Sequence, residues 1–240
     1  MPLYFVTFAG ARAATALTEP VFDFVPFQRA VYQALRHRGL SGILSFEFDI
    51  VRRRPPMSDF PVLFHGHGVV QPIDSDAFVF ADVRDSLGAS PAFPRWDGAT
   101  GAHIKRIQPR CLDVHRVAAY LADPFHQLKR LQPHRTRPGQ RQLRSTRDGL
   151  TPALALRATE LQSHLSVRDT VFGVGELGQQ LRAAWLRRLF DYLPREAGQG
   201  AAVSPGEVAG LWAHLRRLDG SDARWGPAQL RTRSSAYRNG

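Results

Sequence analysis

The sequence predicts an α+β fold: an antiparallel sheet with flanking helices over residues 1–130, followed by a basic, mainly helical region. Three observations predict it. Strand and helix signals alternate through the first half, one segment there alternates apolar and polar residues without a break, and charge and turn punctuation both change character near residue 130. With 240 residues, 43% hydrophobic and 22% charged, the chain is long enough for one or two domains with a core and too apolar to be disordered.

Tyr4 to Phe8 is a short β-rich run closed by Gly10. The apolar stretch around it lacks the basic residue that precedes a secretory signal, and it falls short of the ~18 residues of a membrane span. Phe27 to Arg38 carries Phe27, Ala30, Val31, Ala34 and Leu35 at helical spacing, with Gly39 where a helix would stop. Ile43 to Val51 is the clearest strand: Leu44, Phe46, Phe48 and Ile50 share one face, Ser45, Glu47 and Asp49 the other. The loop Arg52-Arg53-Arg54-Pro55-Pro56 leads into a second apolar strand, Val62 to Val70, so an antiparallel hairpin is expected. Asp74 to Leu87 reads as a helix, His103 to Ile107 as a strand, and Val114 to Leu131 as a helix broken at Pro124. Residues 131–148 read as a basic arm or linker. Residues 149–240 read as a helical DNA-contacting or partner domain, with helices over Pro152 to Leu165, Leu177 to Leu193 and near Pro205 to Leu218.

Charge is unevenly spread. The 32 basic and 21 acidic residues give +11, of which residues 1–128 contribute +1 (13 basic, 12 acidic) and residues 129–240 contribute +10 (19 basic, 9 acidic). Such a balance favours a polyanionic partner. All basic residues except Lys105 and Lys129 are arginine, whose planar fork suits phosphate. The expected DNA contacts are Arg52, Arg53 and Arg54 in the loop, with Lys129, Arg130, Arg135, Arg137, Arg141 and Arg144 in the basic run. The single cysteine, Cys111, excludes an internal disulfide and a multi-cysteine zinc site, so a soluble cytoplasmic chain with no membrane partner is expected.

The sharpest local feature is Phe64-His65-Gly66-His67-Gly68 inside an apolar strand. Alternation puts both imidazoles on one side about 7 Å apart, close enough to chelate one divalent ion. Glu47 and Asp49 share a face of the partner strand, and either can supply a third, oxygen ligand; the longer side chain favours Glu47. Two imidazoles and a carboxylate leave coordination positions open for water or phosphate, as Lewis-acid work requires.

This order of elements resembles the HUH endonucleases, the rolling-circle replication initiators and relaxases: an opening strand Phe5-Val6-Thr7-Phe8, a helix, a Glu-bearing strand, the paired histidines His65 and His67, then a helix with a tyrosine. The resemblance covers roughly residues 3–130. It implies an HUH-type palm in which Tyr120, within Val117-Ala118-Ala119-Tyr120-Leu121-Ala122-Asp123, is the nucleophile. It also implies Mg²⁺ or Mn²⁺ held by His65, His67 and Glu47, and a 5′-phosphotyrosine intermediate in nicking and joining of single-stranded or origin DNA. The family's single-tyrosine class fits, because only Tyr120 lies in that helix. The implied role is to initiate rolling-circle replication of a plasmid or phage-like element, with a host helicase separating strands. Mobilisation relaxase, transposase and a non-catalytic DNA-binding regulator of the same fold are the alternatives. Two positions depart from the family: Gly66 replaces the usual bulky residue between the histidines, and Asp123 stands where a lysine is common, leaving Lys129 or Arg130 as the nearest cation.

Gly173-Val174-Gly175-Glu176-Leu177-Gly178 matches G-x-G-x-x-G. No strand follows to complete a βαβ unit, so a glycine turn between two helices is expected and no nucleotide cofactor.

Overall fold

The alternation around residues 43–50 becomes β4 (Leu40–Arg52), in which Leu44, Phe46, Phe48 and Ile50 are each at most 1% exposed. In the computed structural model the described residues are 1–18, 21–52, 60–108, 128–134, 138–145, 150–165, 170–192 and 229–231. β4 pairs antiparallel with β5 (Pro61–Pro72), from Leu40 opposite Pro72 to Ile50 opposite Val62, as the hairpin expectation requires. On the far side of β5 lie β1 (Tyr4–Phe8) and, outside it, β6 (Ala102–Arg106), both antiparallel to their neighbours. β2 (Ala14–Ala16) adds to the start of β5.

The other flank corrects the expectation of a purely antiparallel sheet. β7 (Leu128–Pro133) runs parallel to β4, and β8 (Arg141–Ser145) returns antiparallel to β7. The sheet is therefore mixed, in the order β6-β1-β5-β4-β7-β8, with β9 (Val171–Val174) pairing antiparallel with the first half of β4. A parallel neighbour needs a long crossover, and much of the chain lies between β4 and β7. Since β9 pairs with β4, the sheet extends past the charge boundary near residue 130. A separate parallel pair joins β3 (Val21–Asp23) to β10 (Gln229–Arg231).

Helices flank this sheet. α1 (Phe24–Arg36) begins earlier than its apolar spacing indicates, because Asp23 caps it by accepting from the Val25 N–H at 3.0 Å. It ends before Gly39, whose φ of 62° permits the turn into β4. Its aromatic face packs on the even-numbered side of the sheet, with ring centroids 5.7 Å apart for Phe24–Phe46 and 5.2 Å for Phe24–Phe64. α2 (Phe80–Gly88) lies by β1, where Phe80 stacks on Tyr4 at 5.2 Å. It starts later than Asp74 because the Asp74 carboxylate accepts from the backbone of Asp76 and Ala77, making a turn instead. α3 (Pro152–Ser163), capped by Thr151, adds Leu154, Ala158 and Leu161 to the same core. Burying each large apolar side chain contributes about 1.5–3 kcal/mol.

α4 (Gly175–Tyr192) follows β9 directly, so the glycine-rich motif is a strand-to-helix turn and not the expected turn between helices. Gly175 has φ 69°, and a Cβ on Gly178 would run into the Gly42 carbonyl oxygen of β4. These glycines let the start of α4 lie against strand backbone.

Leu128 to Leu131, expected as the end of a helix, and much of the expected basic arm instead form the β7–β8 hairpin. Leu131 and Leu143 pack it against Val51, Leu63 and Trp96 on the odd-numbered side of the sheet. The rest of that expected helix, with Tyr120, Asp123 and Pro124, lies outside the described residues, as do Arg53, Arg54, Arg135, Arg137, Cys111 and the expected helix near 205–218. No helix among the described residues is long and apolar enough to cross a membrane.

Candidate metal centre

Register is set on the apolar side of the sheet. Phe46 lies opposite Gly66, a large-to-small match that a slip of one residue would destroy while turning both histidines into the core. A Cβ on Gly66 would lie 2.7 Å from Phe46 Cε1, so Phe46 fills the volume that a bulky residue between the histidines would occupy. The departure at Gly66 thus has a partner on the adjacent strand.

On the opposite side this register places Glu47 directly across from His65, and Thr7 of β1 directly across from His67. Glu47 Oε1 is 2.9 Å from His65 Nε2 and 3.1 Å from His67 Nε2, so one carboxylate oxygen bridges both imidazoles. Asp49 sits one step behind, with Oδ2 3.6 Å from His65 Nε2. The choice between the two carboxylates therefore falls on Glu47. Each imidazole is also held from its other nitrogen: His65 Nδ1 donates to the Leu63 carbonyl at 3.2 Å, and His67 Nδ1 lies 3.0 Å from Thr7 Oγ1. Phe5 stacks on the His67 ring with centroids 5.7 Å apart. Partners of this kind fix ring orientation and leave Nε2 to ligate.

The Glu47, His65 and His67 ligand atoms lie within 4.8 Å of one another. Metal–ligand bonds of about 2.1 Å at right angles put neighbouring donors about 3.0 Å apart. The two short separations match such an edge, so this donor set fits a divalent ion.

His65, His67 and Asp49 are 4%, 5% and 8% exposed. Burial opposes charging of His65, but the carboxylates of Asp49 and Glu47 outweigh it and raise its pKa. Burial and the neighbouring His65 push His67 down to about 4. Burial would raise the Glu47 pKa, yet hydrogen bonds from both histidines hold it far below the usual carboxylate range. Asp49 goes the other way, raised by burial against the pull of His65 and Lys129. The centre concentrates desolvated charge that a bound cation would neutralise.

No protein-family model, curated protein or solved structure matches the chain.

A cavity of about 350 Å³ opens over the centre, bounded by Thr7, His65 and His67 on the sheet and by Thr100, His134 and Arg141 towards β6 and the β7–β8 hairpin. Lys129, expected as a DNA contact, lines it and places Nζ 3.8 Å from Asp49 Oδ1. Arg141 pairs with Asp97 at 2.9 Å on the rim. Arg52, Arg130 and Arg144 are brought together elsewhere, in one register row across β4, β7 and β8. Sequence reasoning missed the bond from Thr7 to His67 and the Asp49–Lys129 pair. The first was signalled by Tyr4, Val6 and Phe8 alternating in β1, which turns Thr7 to the other face. The second depended on β7 lying beside β4, which no local pattern announces.

Proposed function

We propose that the protein is a metal-dependent DNA nicking and joining enzyme of the HUH type, initiating rolling-circle replication of a plasmid or phage-like element. The observation that carries this reading is the convergence of Glu47, His65 and His67 on one point in the central strands, below a cavity that also holds Lys129. A divalent ion such as Mg²⁺ or Mn²⁺ bound there would supply Lewis-acid polarisation of a phosphoryl oxygen. The residues themselves orient the site: Thr7 and the Leu63 carbonyl fix the two imidazoles, and the apolar cluster of Val51, Leu63, Trp96 and Leu131 borders the site face. Tyr120 is the nucleophile in this reading. Its hydroxyl attacks the scissile phosphorus; the bond to the 3′ oxygen breaks, a phosphotyrosine bond to the 5′ end forms, and the tyrosine proton passes to the departing 3′ oxygen, which leaves as a 3′-OH.

A non-catalytic DNA-binding regulator is the second reading, favoured by Asp123 in the place of a lysine. One experiment separates them. Incubation with single-stranded oligonucleotides from the protein's own locus and Mn²⁺ should give a covalent adduct on a denaturing gel, lost in Tyr120→Phe and in His67→Ala. DNA binding without an adduct selects the regulator.

A further inference from the structure

We propose that the outer face of α1 is a duplex-DNA contact, a helix that lies in the major groove on the side of the sheet opposite the metal centre. Core packing decides which face points outward. Phe24, Phe27, Val31, Ala34 and Leu35 are buried on the inner face. The helical turn of about 100° per residue then gathers Arg29, Tyr32, Gln33 and Arg36 into one exposed stripe, with Tyr32 38% exposed. The metal ligands belong to the other side of the same strands: α1 packs where Phe46 points, and Glu47, the next residue of β4, points away.

Two features set this stripe apart from an ordinary solvated face. The first is charge. α1 contains no acidic residue, and Asp23, just before it, has its carboxylate engaged in the cap. His37 and Arg38 follow directly. A helix face kept merely soluble interleaves both signs. α2, on the same side of the sheet, does so, with Asp82 and Asp85 around Arg84 and an Arg84–Asp85 pair at 2.8 Å. The second feature is composition. Arginine and glutamine are the side chains that pair in bidentate fashion with guanine and adenine edges, and a major groove about 12 Å wide admits one helix. Arg29 and Arg36 stand two turns apart, about 10 Å along the axis, so they reach phosphates from the two ends of the stripe. Gln33 lies between them and faces the base edges. The Arg36 guanidinium is near Gly175, so the stripe ends at the turn into α4. The net charge of +11 supplies long-range attraction to the duplex. A duplex held here leaves the metal face open to the strand that is cut.

The inference rests on the DNA reading, and its test keeps the two apart. Fluorescence anisotropy finds the tightest-bound duplex among short duplexes tiling the protein's own locus, and compares it with its scrambled sequence. The double variant Arg29→Gln, Arg36→Gln should lower the log–log salt slope by about 2 units, since each phosphate contact on B-DNA contributes about 0.9. Gln33→Ala should reduce the preference for the cognate duplex about 10-fold. All three side chains are exposed, so the Mn²⁺-induced thermal shift of these variants should stay at the wild-type value. The single arginine variants, each lowering the slope by about 0.9, give the same reading should the double variant fold poorly. A wild-type slope in the arginine variants, an unchanged preference in Gln33→Ala, or no duplex binding by wild type at low salt would each overturn the α1 contact. Absence of a covalent adduct, with duplex binding through α1 intact, would overturn the nicking reading and leave the contact standing.

Discussion

Two buried polar clusters in this protein are built on opposite principles. On α3, Arg157 is 0% exposed and spends its donors on fixed acceptors: Nε on the Leu17 carbonyl at 2.9 Å, Nη2 on the Thr18 carbonyl at 3.1 Å and Nη1 on Glu160 at 2.6 Å. Opposite charges and backbone carbonyls satisfy one another, and the cluster ties the helix to the segment after β2. The centre on β4 and β5 instead crowds two carboxylates against two imidazoles, with Glu47 Oε1 shared between both Nε2 atoms and a cavity above. Its charges pull the pKa values of like groups in opposite directions. A closed network stabilises the fold; an open one, with donors converging on a point, is poised for a ligand.

The largest expected effect separates these roles. Arg157→Ala removes the guanidinium paired with the buried Glu160 carboxylate and should cost about 3–5 kcal/mol in urea unfolding, with the response to Mn²⁺ retained in the folded fraction. Gly66→Val should cost about 1–3 kcal/mol by driving a side chain into Phe46, and Phe46→Leu in the same chain should recover part of it, a coupling that a double-mutant cycle would register. Thr7→Val removes the hydroxyl beside His67 Nδ1 while keeping the strand-forming shape. Calorimetric titration should show Mn²⁺ affinity falling about 10- to 100-fold, with Thr7→Ser close to wild type. The smallest effect belongs to the rim: Arg141 and Asp97 are 43% and 40% exposed in their side chains, so Arg141→Ala should change stability by under about 1 kcal/mol.

The centre was more legible in the sequence than the sheet around it. His65 and His67 fall on one face for any strand pairing, and Ser45, Glu47 and Asp49 announce a polar face by strict alternation. Which carboxylate meets the imidazoles depended on register, and that is fixed by the large-to-small match of Phe46 with Gly66, a contact between strands. The β7–β8 hairpin was illegible for a different reason. Its buried anchors Leu128 and Leu131 are three residues apart, a helical spacing, and Arg130 and Gln132 give no apolar alternation. β9 was hidden by Gly173, since glycine weakens a strand pattern while allowing backbone to approach closely. α2 was overextended because Asp74 initiates a turn by the same side-chain bonding that caps a helix.

The central claim is that Glu47, His65 and His67 form a divalent metal centre, and thermal unfolding against Mn²⁺ tests it most directly. At a free concentration of 100 times Kd, wild type should gain about 2.7 kcal/mol, seen as a rise in Tm. Binding needs neutral imidazoles, and His65, with its pKa raised, is the group that protons capture first as pH falls; His67, held at about 4, is not. The Mn²⁺ shift should therefore shrink as pH drops through the raised pKa of His65. In the double variant His65→Ala, His67→Ala it should vanish at every pH. An equal Mn²⁺ shift in that double variant would contradict the account.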